Sequence, residues 1–249
     1  MDKYAYLLIN IFTVLGPLFL SPLAPANQKV FLKKIFPSIL IIATIFIIHD
    51  IVFTDLGVWG FNYFYLTGMN IFNLPVEEVL FFICIPFGSL FIHATVSVQK
   101  PKWKIADSFL NIFSYSLVVL LMVLAFNFSD RIYTLHSFTT SAVLIIICLL
   151  KHKELIAKFY VSYAFILIPF LVVNGLLTGS LIENEIVWYN SMEMIGTRIG
   201  TIPVEDFSYG FSLLLSILII DKYQIFTKKR HKINQTLITL IIMLAPFIF

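Results

Sequence analysis

Residues 73–79 read NLPVEEV and residues 201–207 read TIPVEDF, so the chain carries the pattern Pro-Val-Glu-acid twice. The prolines of the two copies, Pro75 and Pro203, are 128 positions apart. Carboxylates are otherwise scarce, because the 249 residues include only 14 Asp and Glu. Two copies of an acidic motif in such a chain indicate an internal repeat.

The similarity extends well before the motif. Asp50 and Thr54 match Asn174 and Thr178, with the same spacing in both pairs. Three further positions repeat closer to the motif: Trp59, Phe61 and Asn62 in the first copy, and Trp188, Tyr189 and Asn190 in the second. Each Asn precedes its motif proline by 13 residues. We therefore predict two related halves, residues 1–130 and 131–249, within one membrane-embedded unit.

The composition is that of a membrane protein. The chain is 59% hydrophobic and 12% charged, whereas soluble domains carry roughly 25% charged residues. Apolar runs close to the ~17–25 residues of a membrane-crossing helix number eight: residues 4–20, 35–54, 75–98, 108–127, 132–150, 158–178, 203–221 and 233–249. Four spans separate the two motifs, so the repeats are parallel. The predicted fold class is all-α, a polytopic membrane helical bundle of about eight spans in two parallel four-helix repeats.

The basic residues predict an orientation. Of the 17 Lys and Arg, 14 lie in alternate segments between the spans: residues 21–34, 99–107, 151–158 and 222–235. Such residues in short loops mark the cytoplasmic side of a membrane. We expect a multi-pass protein of the cytoplasmic membrane, with both motifs and both termini extracytoplasmic. The apolar N-terminal segment lacks a basic leader and is interpreted as a span rather than a signal peptide.

The motif acids are the candidate functional groups: Glu77, Glu78, Glu205 and Asp206. Asn73 and Thr201 are predicted N-caps, with the prolines in the first helical turn. Acids at a helix start also complement the helix dipole, but that reading leaves the repeated Trp, Asn and Asp positions unexplained. Adjacent helical residues point about 100° apart, and we predict that the first acid of each pair, Glu77 or Glu205, faces the central axis.

The repeated corners supply candidate pocket or supporting residues: Asp50, Trp59, Asn62, Pro75, Asn174, Trp188, Asn190, Arg198 and Pro203. Phe81 and Tyr209 lie four residues beyond the first acids and share their helix faces. His49 is assigned no role. No second His stands at metal-binding spacing, so no metal site is predicted.

Four stretches resemble the integral-membrane lycopene cyclases, whose hallmark is a doubled P-x-E-[E/D] motif. They read HDIVFTDLGVWGFN (49–62), NLPVEEVLFF (73–82), VWYN (187–190) and RIGTIPVEDFSYGF (198–211). The chain is similar to the fused, single-chain form over nearly its whole length. One departure is His49, where a Trp is expected before the Asp.

The resemblance implies an enzyme that closes the ψ end groups of lycopene to β rings, giving γ-carotene and then β-carotene, with the four motif acids as catalytic residues. It also implies a carotenoid substrate from the lipid phase, membrane lipids and other carotenoid-pathway enzymes as partners, and neither nucleic acid nor a cofactor. In agreement, no G-x-G-x-x-G dinucleotide fingerprint follows a strand.

Ring closure requires a proton on C2, attack of the C5–C6 double bond on the C1 cation, and loss of a proton from C6, with no net redox change. A carboxylic acid can deliver a proton only while it is neutral, and burial favours that form. Aromatic faces stabilise a nearby cation by ~0.5–2 kcal/mol each. This chemistry matches paired acids in an aromatic corner.

Two other function classes stay open on the residues alone. A proton-coupled transporter also uses repeats and buried acids, but it needs carboxylates that open alternately to both faces. An intramembrane prenyltransferase would use its acids to hold magnesium and a diphosphate, and its soluble substrate would favour acids on the cytoplasmic side.

Overall fold

A computed structural model describes residues 2–222 of the chain. Within that part, seven long helices make up the fold: α1 (Ala5–Leu20), α2 (Ala26–Asp55), α3 (Val76–Gln99), α4 (Asp107–Asn127), α5 (Ile132–Lys151), α6 (Lys153–Leu177) and α7 (Val204–Lys222). Helices α1 to α6 are long and apolar enough to cross a membrane. The predicted all-α membrane bundle is confirmed. Helix α7, at the predicted span 203–221, is not among these six helices, and the predicted span 233–249 lies outside the described residues, so the count of eight spans stays a prediction.

Short elements connect the helices. Single turns of 3-10 helix cover Asp2–Tyr4, Ser21–Leu23, Tyr63–Tyr65 and Ser191–Glu193. Six short strands lie in the two corners that precede the motifs: β1 (Trp59–Phe61), β2 (Asn70–Ile71), β3 (Leu74–Pro75), β4 (Val187–Tyr189), β5 (Arg198–Ile199) and β6 (Ile202–Pro203). Strands β2 and β3 form one antiparallel hairpin, and β5 and β6 form its counterpart.

The two corners are joined to each other by β1 and β4, which pair antiparallel with Gly60 opposite Trp188. Adding 128 to the numbers of β1 gives the numbers of β4, so this ladder maps onto itself when the repeats are exchanged. The flanking hydrogen bonds obey the same rule: Asn62 N–H donates to Ile186 O (2.8 Å), and Asn190 N–H donates to Val58 O (2.9 Å). A pseudo-two-fold axis therefore passes through the Gly60–Trp188 pair, and both motifs lie at the same end of the bundle.

A glycine is required at position 60 because the Trp188 ring occupies the space that any side chain there would fill. The indole packs directly against the Gly60 backbone at the pseudo-two-fold axis. The strand pair can close at this point only because one partner has no Cβ.

The helices pack in a pattern that the pseudo-symmetry repeats. Helix α1 packs against α3 as α5 packs against α7, and α2 contacts α7 as α6 contacts α3. Helices α3 and α7, which begin with the motif acids, therefore lie at the centre. Helix α4 packs along α5. If each repeat crossed the membrane only three times, the second repeat would be inverted relative to the first. Helix α4 adds a fourth crossing, so both motif helices start at the same face. The boundary predicted after residue 130 falls in the turn between α4 and α5 and stays a prediction.

Candidate active site

Each motif helix begins directly after its hairpin. Val76 N–H donates to Met69 O (2.9 Å), and Val204 N–H donates to Thr197 O (3.1 Å), so both helix starts are fixed by the hairpin backbone. The N-cap of α3 is Pro75, which has no backbone N–H and loses none there. Pro203 holds the corresponding place before α7.

The prediction that Asn73 and Thr201 are N-caps is wrong. The Asn73 amide donates to Ile51 O (2.8 Å), and the Thr201 hydroxyl bonds with that of Thr178 (2.7 Å). Both side chains instead tie the hairpin to the end of the preceding helix. The corner is thereby held against α2 in one half and α6 in the other.

The first acid of each motif is fully buried and faces the loop of its own corner. Glu77 Oε1 accepts from Thr67 N–H (2.7 Å), and Glu205 Oε1 accepts from Ile195 N–H (2.7 Å). Glu205 also accepts from the Thr134 hydroxyl (2.6 Å). Neither side chain lines the central cavity. The prediction that the first acids face the central axis is therefore wrong. Their carboxylates point away from the axis because they accept hydrogen bonds from backbone N–H groups of the corner.

The second acid of each motif faces the interior. Glu78 Oε2 accepts from the Tyr6 hydroxyl (2.6 Å). Asp206 accepts from three groups: the Tyr133 hydroxyl, the Tyr189 hydroxyl (3.0 Å) and the Asn174 amide (3.3 Å). Tyr6 and Tyr133 hold equivalent places in the two halves, on α1 and α5. Among residues 2–222, the first half thus gives its acid one hydrogen-bond donor, and the second half gives its acid three.

Asp50 is the third carboxyl group of the interior. It is 1% exposed, and its Oδ1 accepts a hydrogen bond from the Trp59 indole N–H. Asp50 lines the same central cavity as Glu78. The equivalent position in the second half is Asn174, so the first half supplies two carboxyl groups to the cavity and the second half supplies one.

These groups line a single cavity of about 750 Å³ whose wall is otherwise mostly apolar. Glu78, Asp206, Asp50 and Asn174 all contribute to it, which means that both repeats supply polar groups to one chamber. Its size and composition are those of a ligand site, where a few polar groups converge in an apolar pocket.

Aromatic rings wall the cavity beside the acids. Tyr209 lies at the centre of this wall, with its ring centroid 6.1 Å from those of Trp59 and Tyr133. Phe81, its counterpart in α3, also lines the cavity, and it packs edge-on against Tyr6. In the corner outside the helices, burial and the neighbouring Asp206 raise the pKa of Tyr189 well above its usual value. The Tyr189 hydroxyl therefore stays a hydrogen-bond donor.

Several predicted pocket residues serve the corners instead. Trp188 is 41% exposed and does not line the cavity. Asn62 and Asn190 cap 3-10 turns, since their side-chain oxygens accept from Phe64 N–H (3.1 Å) and Met192 N–H (3.0 Å). These three residues shape the connection between the repeats.

Arg198 was also a candidate pocket residue, and it lies at the surface of its hairpin. Its guanidinium donates to Thr201 O and lies 5.7 Å from the centroid of the Tyr189 ring. Arg198 thus covers one wall residue from outside the cavity.

Two tyrosines and a histidine pair were not found from the sequence. Tyr6 and Tyr133 lie in ordinary apolar runs, and their only signal is that they recur 127 positions apart, one position fewer than the motif acids. His49 and His136 stack with ring centroids 4.1 Å apart, at the contact of α2 with α5. Within residues 2–222, no three His, Cys, Asp or Glu side chains are grouped in a way that could hold a metal ion.

The fold and the cavity together define a polytopic helical membrane protein with a duplicated acid motif and one internal, acid-lined chamber. The family model for lycopene cyclases matches residues 3–96 and 130–226, which is more than half of the chain. The chain therefore belongs to the lycopene cyclase family in its fused, two-repeat form, and it is an enzyme of carotenoid cyclisation. No curated protein and no solved structure matches it significantly. The matched ranges contain α1, α2, most of α3 and α5 to α7, and α4 lies between them.

Proposed function

We propose that this protein converts the ψ end groups of lycopene to β rings by direct proton transfer from and to carboxyl groups, without a cofactor. One observation carries the proposal: Glu78, Asp206 and Asp50, from both repeats, line a single apolar cavity. The substrate is an apolar polyene dissolved in lipid, so an apolar chamber inside a membrane bundle suits it. The motif acids are proposed to lie at the extracytoplasmic face of the cytoplasmic membrane, as the basic segments predict.

The two acids that face the cavity differ in their surroundings, and we assign them different roles. Among the described residues, Glu78 has one hydrogen-bond donor, and the carboxyl group of Asp50 lines the same cavity. Two neighbouring carboxyl groups in a dry site tend to share a proton. Glu78 is therefore the proton donor, with Asp50 as the group that keeps a proton on the pair.

Asp206 receives hydrogen bonds from Tyr133, Tyr189 and Asn174. Donors aimed at a carboxylate favour its charged form, and a charged carboxylate is what a base requires. Asp206 is therefore the base. In this assignment Glu77 and Glu205 hold the corners and exchange no proton.

The reaction then balances. The Glu78 proton adds to C2 of the terminal double bond and leaves a cation at C1. The C5–C6 double bond attacks C1, which forms the C1–C6 bond and moves the cation to C5. Asp206 removes the proton from C6, and the new C5–C6 double bond completes the β ring. One proton enters and one leaves, so the product has the mass of the substrate. Cavity rings, Tyr209 among them, stabilise the cation and exclude water that would trap it.

The direct test is expression in a lycopene-accumulating bacterium, followed by separation of the pigments. The proposal expects γ-carotene and β-carotene, and a Glu78→Gln variant made at equal abundance should leave lycopene unchanged. Lycopene that stays unconverted by the unaltered protein would refute it. The same protein in liposomes should show no ion flux coupled to a proton gradient. A measured flux of this kind would favour a transporter instead.

A further inference from the structure

The cavity reaches the lateral surface of the bundle between α1 and α6. Its lining includes Phe12 of α1 and Val172 of α6, and these residues are 67% and 61% exposed. In a membrane, residues at such positions face lipid. The gap between α1 and α6 is thus an entrance through which a lipid-dissolved molecule reaches the acids.

The pseudo-two-fold axis defines a counterpart of this gap, between α5 and α2. Helix α5 corresponds to α1 with a shift of 127, as Tyr6 and Tyr133 show by their bonds to the motif acids. Helix α6 corresponds to α2 with a shift of 124, since Val58 N–H donates to Phe53 O and Ile186 N–H donates to Leu177 O. A symmetric chain would have an entrance on each side.

The counterpart gap is filled by histidines. By these shifts, Ile9 and Val173, which line the open cavity, correspond to His136 and His49. The two imidazole rings stack across the gap with an interplanar angle of 28°, and the Phe53 ring centroid lies 3.8 Å from that of His49. His49 and His136 are 3% and 7% exposed. Two aliphatic side chains border the entrance on one side, and two stacked rings close the space on the other.

The closure continues along the helices. Residues 211–220 of α7 are all buried, whereas six of the ten equivalent residues, 83–92 of α3, are only half-buried. Ser141 of α5 bonds with the hydroxyls of Ser208 and Ser212 of α7, each at 2.7 Å. Ser208 and Ser212 correspond to Leu80 and Cys84 of α3, which do not line the cavity, so these bonds fasten α5 along α7 beside its cavity face.

We propose that the His49–His136 stack closes the second lateral entrance, so that each chain has one substrate entrance and closes one end group per binding event. The inference rests on the proposed function, because the entering molecule is taken to be a lycopene end group. Both cavity acids serve that one chamber. The second ring then requires that the monocyclic product leave and re-enter with its other end.

The entrance can be blocked after folding. Gly16 of α1 lines the cavity, and a Cβ added there meets no atom within 4 Å. A Gly16→Cys variant of a protein lacking Cys84 and Cys148 should therefore fold, and its rate of ring formation before labelling is the reference for the labelled protein. Labelling it with pyrenyl maleimide in micelles should reduce β-ring formation more than tenfold. The matched control is Val143→Cys, the counterpart on α5. Val143→Cys should either take up less than a tenth of the label that Gly16→Cys takes up, or lose less than half of its ring-forming activity when it is labelled.

The outcomes separate the two claims. If the unaltered protein forms no β rings, the proposed function fails. If it forms rings but fully labelled Gly16→Cys stays active, or labelled Val143→Cys is equally impaired, the single entrance is refuted.

A second experiment tests the histidines themselves. His49→Val combined with His136→Ile copies the open side and should raise the labelling rate of Val143→Cys at least tenfold. His136→Ile alone serves if the double variant loses the elution profile of folded protein. An unchanged labelling rate in folded protein would refute the role of the stack.

Discussion

The two acids of each motif should respond differently to the same small change. Glu78→Gln removes the proposed proton donor and keeps the size of the side chain. General acid catalysis typically contributes about 10²–10⁴-fold, so the rate of ring formation should fall by about that factor. Asp206→Asn should do the same through loss of the base.

Glu77→Gln should instead affect stability. The amide oxygen can still accept from Thr67 N–H, but the new NH2 group replaces Oε2, which is buried and has no hydrogen-bond partner among the described residues. An unsatisfied buried donor costs about 1–3 kcal/mol, which for a chain of this length is a fall of about 2–12 °C in Tm. Ring formation per folded molecule should be largely retained.

The assay combines two readouts on purified protein in detergent: the initial rate of ring formation from lycopene, and the midpoint of thermal unfolding. Glu205→Gln is the matched variant in the second repeat and should resemble Glu77→Gln. The assignment is wrong if Glu77→Gln loses activity as completely as Glu78→Gln at unchanged Tm, because the first acid would then be the chemical group.

Three further predictions use single positions. Tyr209→Leu should slow ring formation by about 2- to 30-fold, since a cation over an aromatic face is worth ~0.5–2 kcal/mol, whereas Tyr209→Phe should keep the initial rate; equal rates for both variants would exclude the ring from cation stabilisation. Asn174→Asp should slow ring formation by about 10- to 150-fold, because it removes a hydrogen bond of ~1.5–3 kcal/mol to a charged Asp206. The control Asn190→Asp keeps its cap acceptor at the surface and should leave the rate of ring formation unchanged. In a cysteine-free protein, cysteines at Asn70 and Asn184 should react with a membrane-impermeant thiol reagent in intact cells and one at Lys102 should not, and the reverse pattern would overturn the orientation.

The repeat made the fold predictable. The match of Pro75 with Pro203 gives the shift of 128 that the paired corners obey, and the apolar runs agree with the seven described helices to within a few residues at most ends. The start of α2 is the clearest exception, because Lys29, Lys33 and Lys34 interrupt the apolar run although the helix begins at Ala26. Backbone hydrogen bonding continues through these exposed charges, and hydropathy does not register it.

The choice between adjacent acids was not predictable. Glu77 and Glu78 differ by about 100° around the helix, and the contacts of Glu77 with Thr67 N–H and of Glu78 with the Tyr6 hydroxyl fix which one turns inward. That contact depends on how the corner folds. Trp188 misled for a related reason: matching it with Trp59 breaks the shift of 128, and the structure places Val187 at the equivalent position. Likewise His49 and His136 lie far apart in the sequence, so their stacking is visible only once α2 and α5 are packed.

The central claim, that a buried carboxyl group supplies the proton for ring closure, is tested most directly by the origin of one hydrogen atom. Purified protein and lycopene, with no flavin or nicotinamide, are incubated in heavy water, and the rings are analysed by mass spectrometry and NMR. The acid proton exchanges with solvent between turnovers, so each new ring should carry one deuterium, at C2. A strict requirement for reduced flavin, or rings without deuterium at C2, would contradict the account.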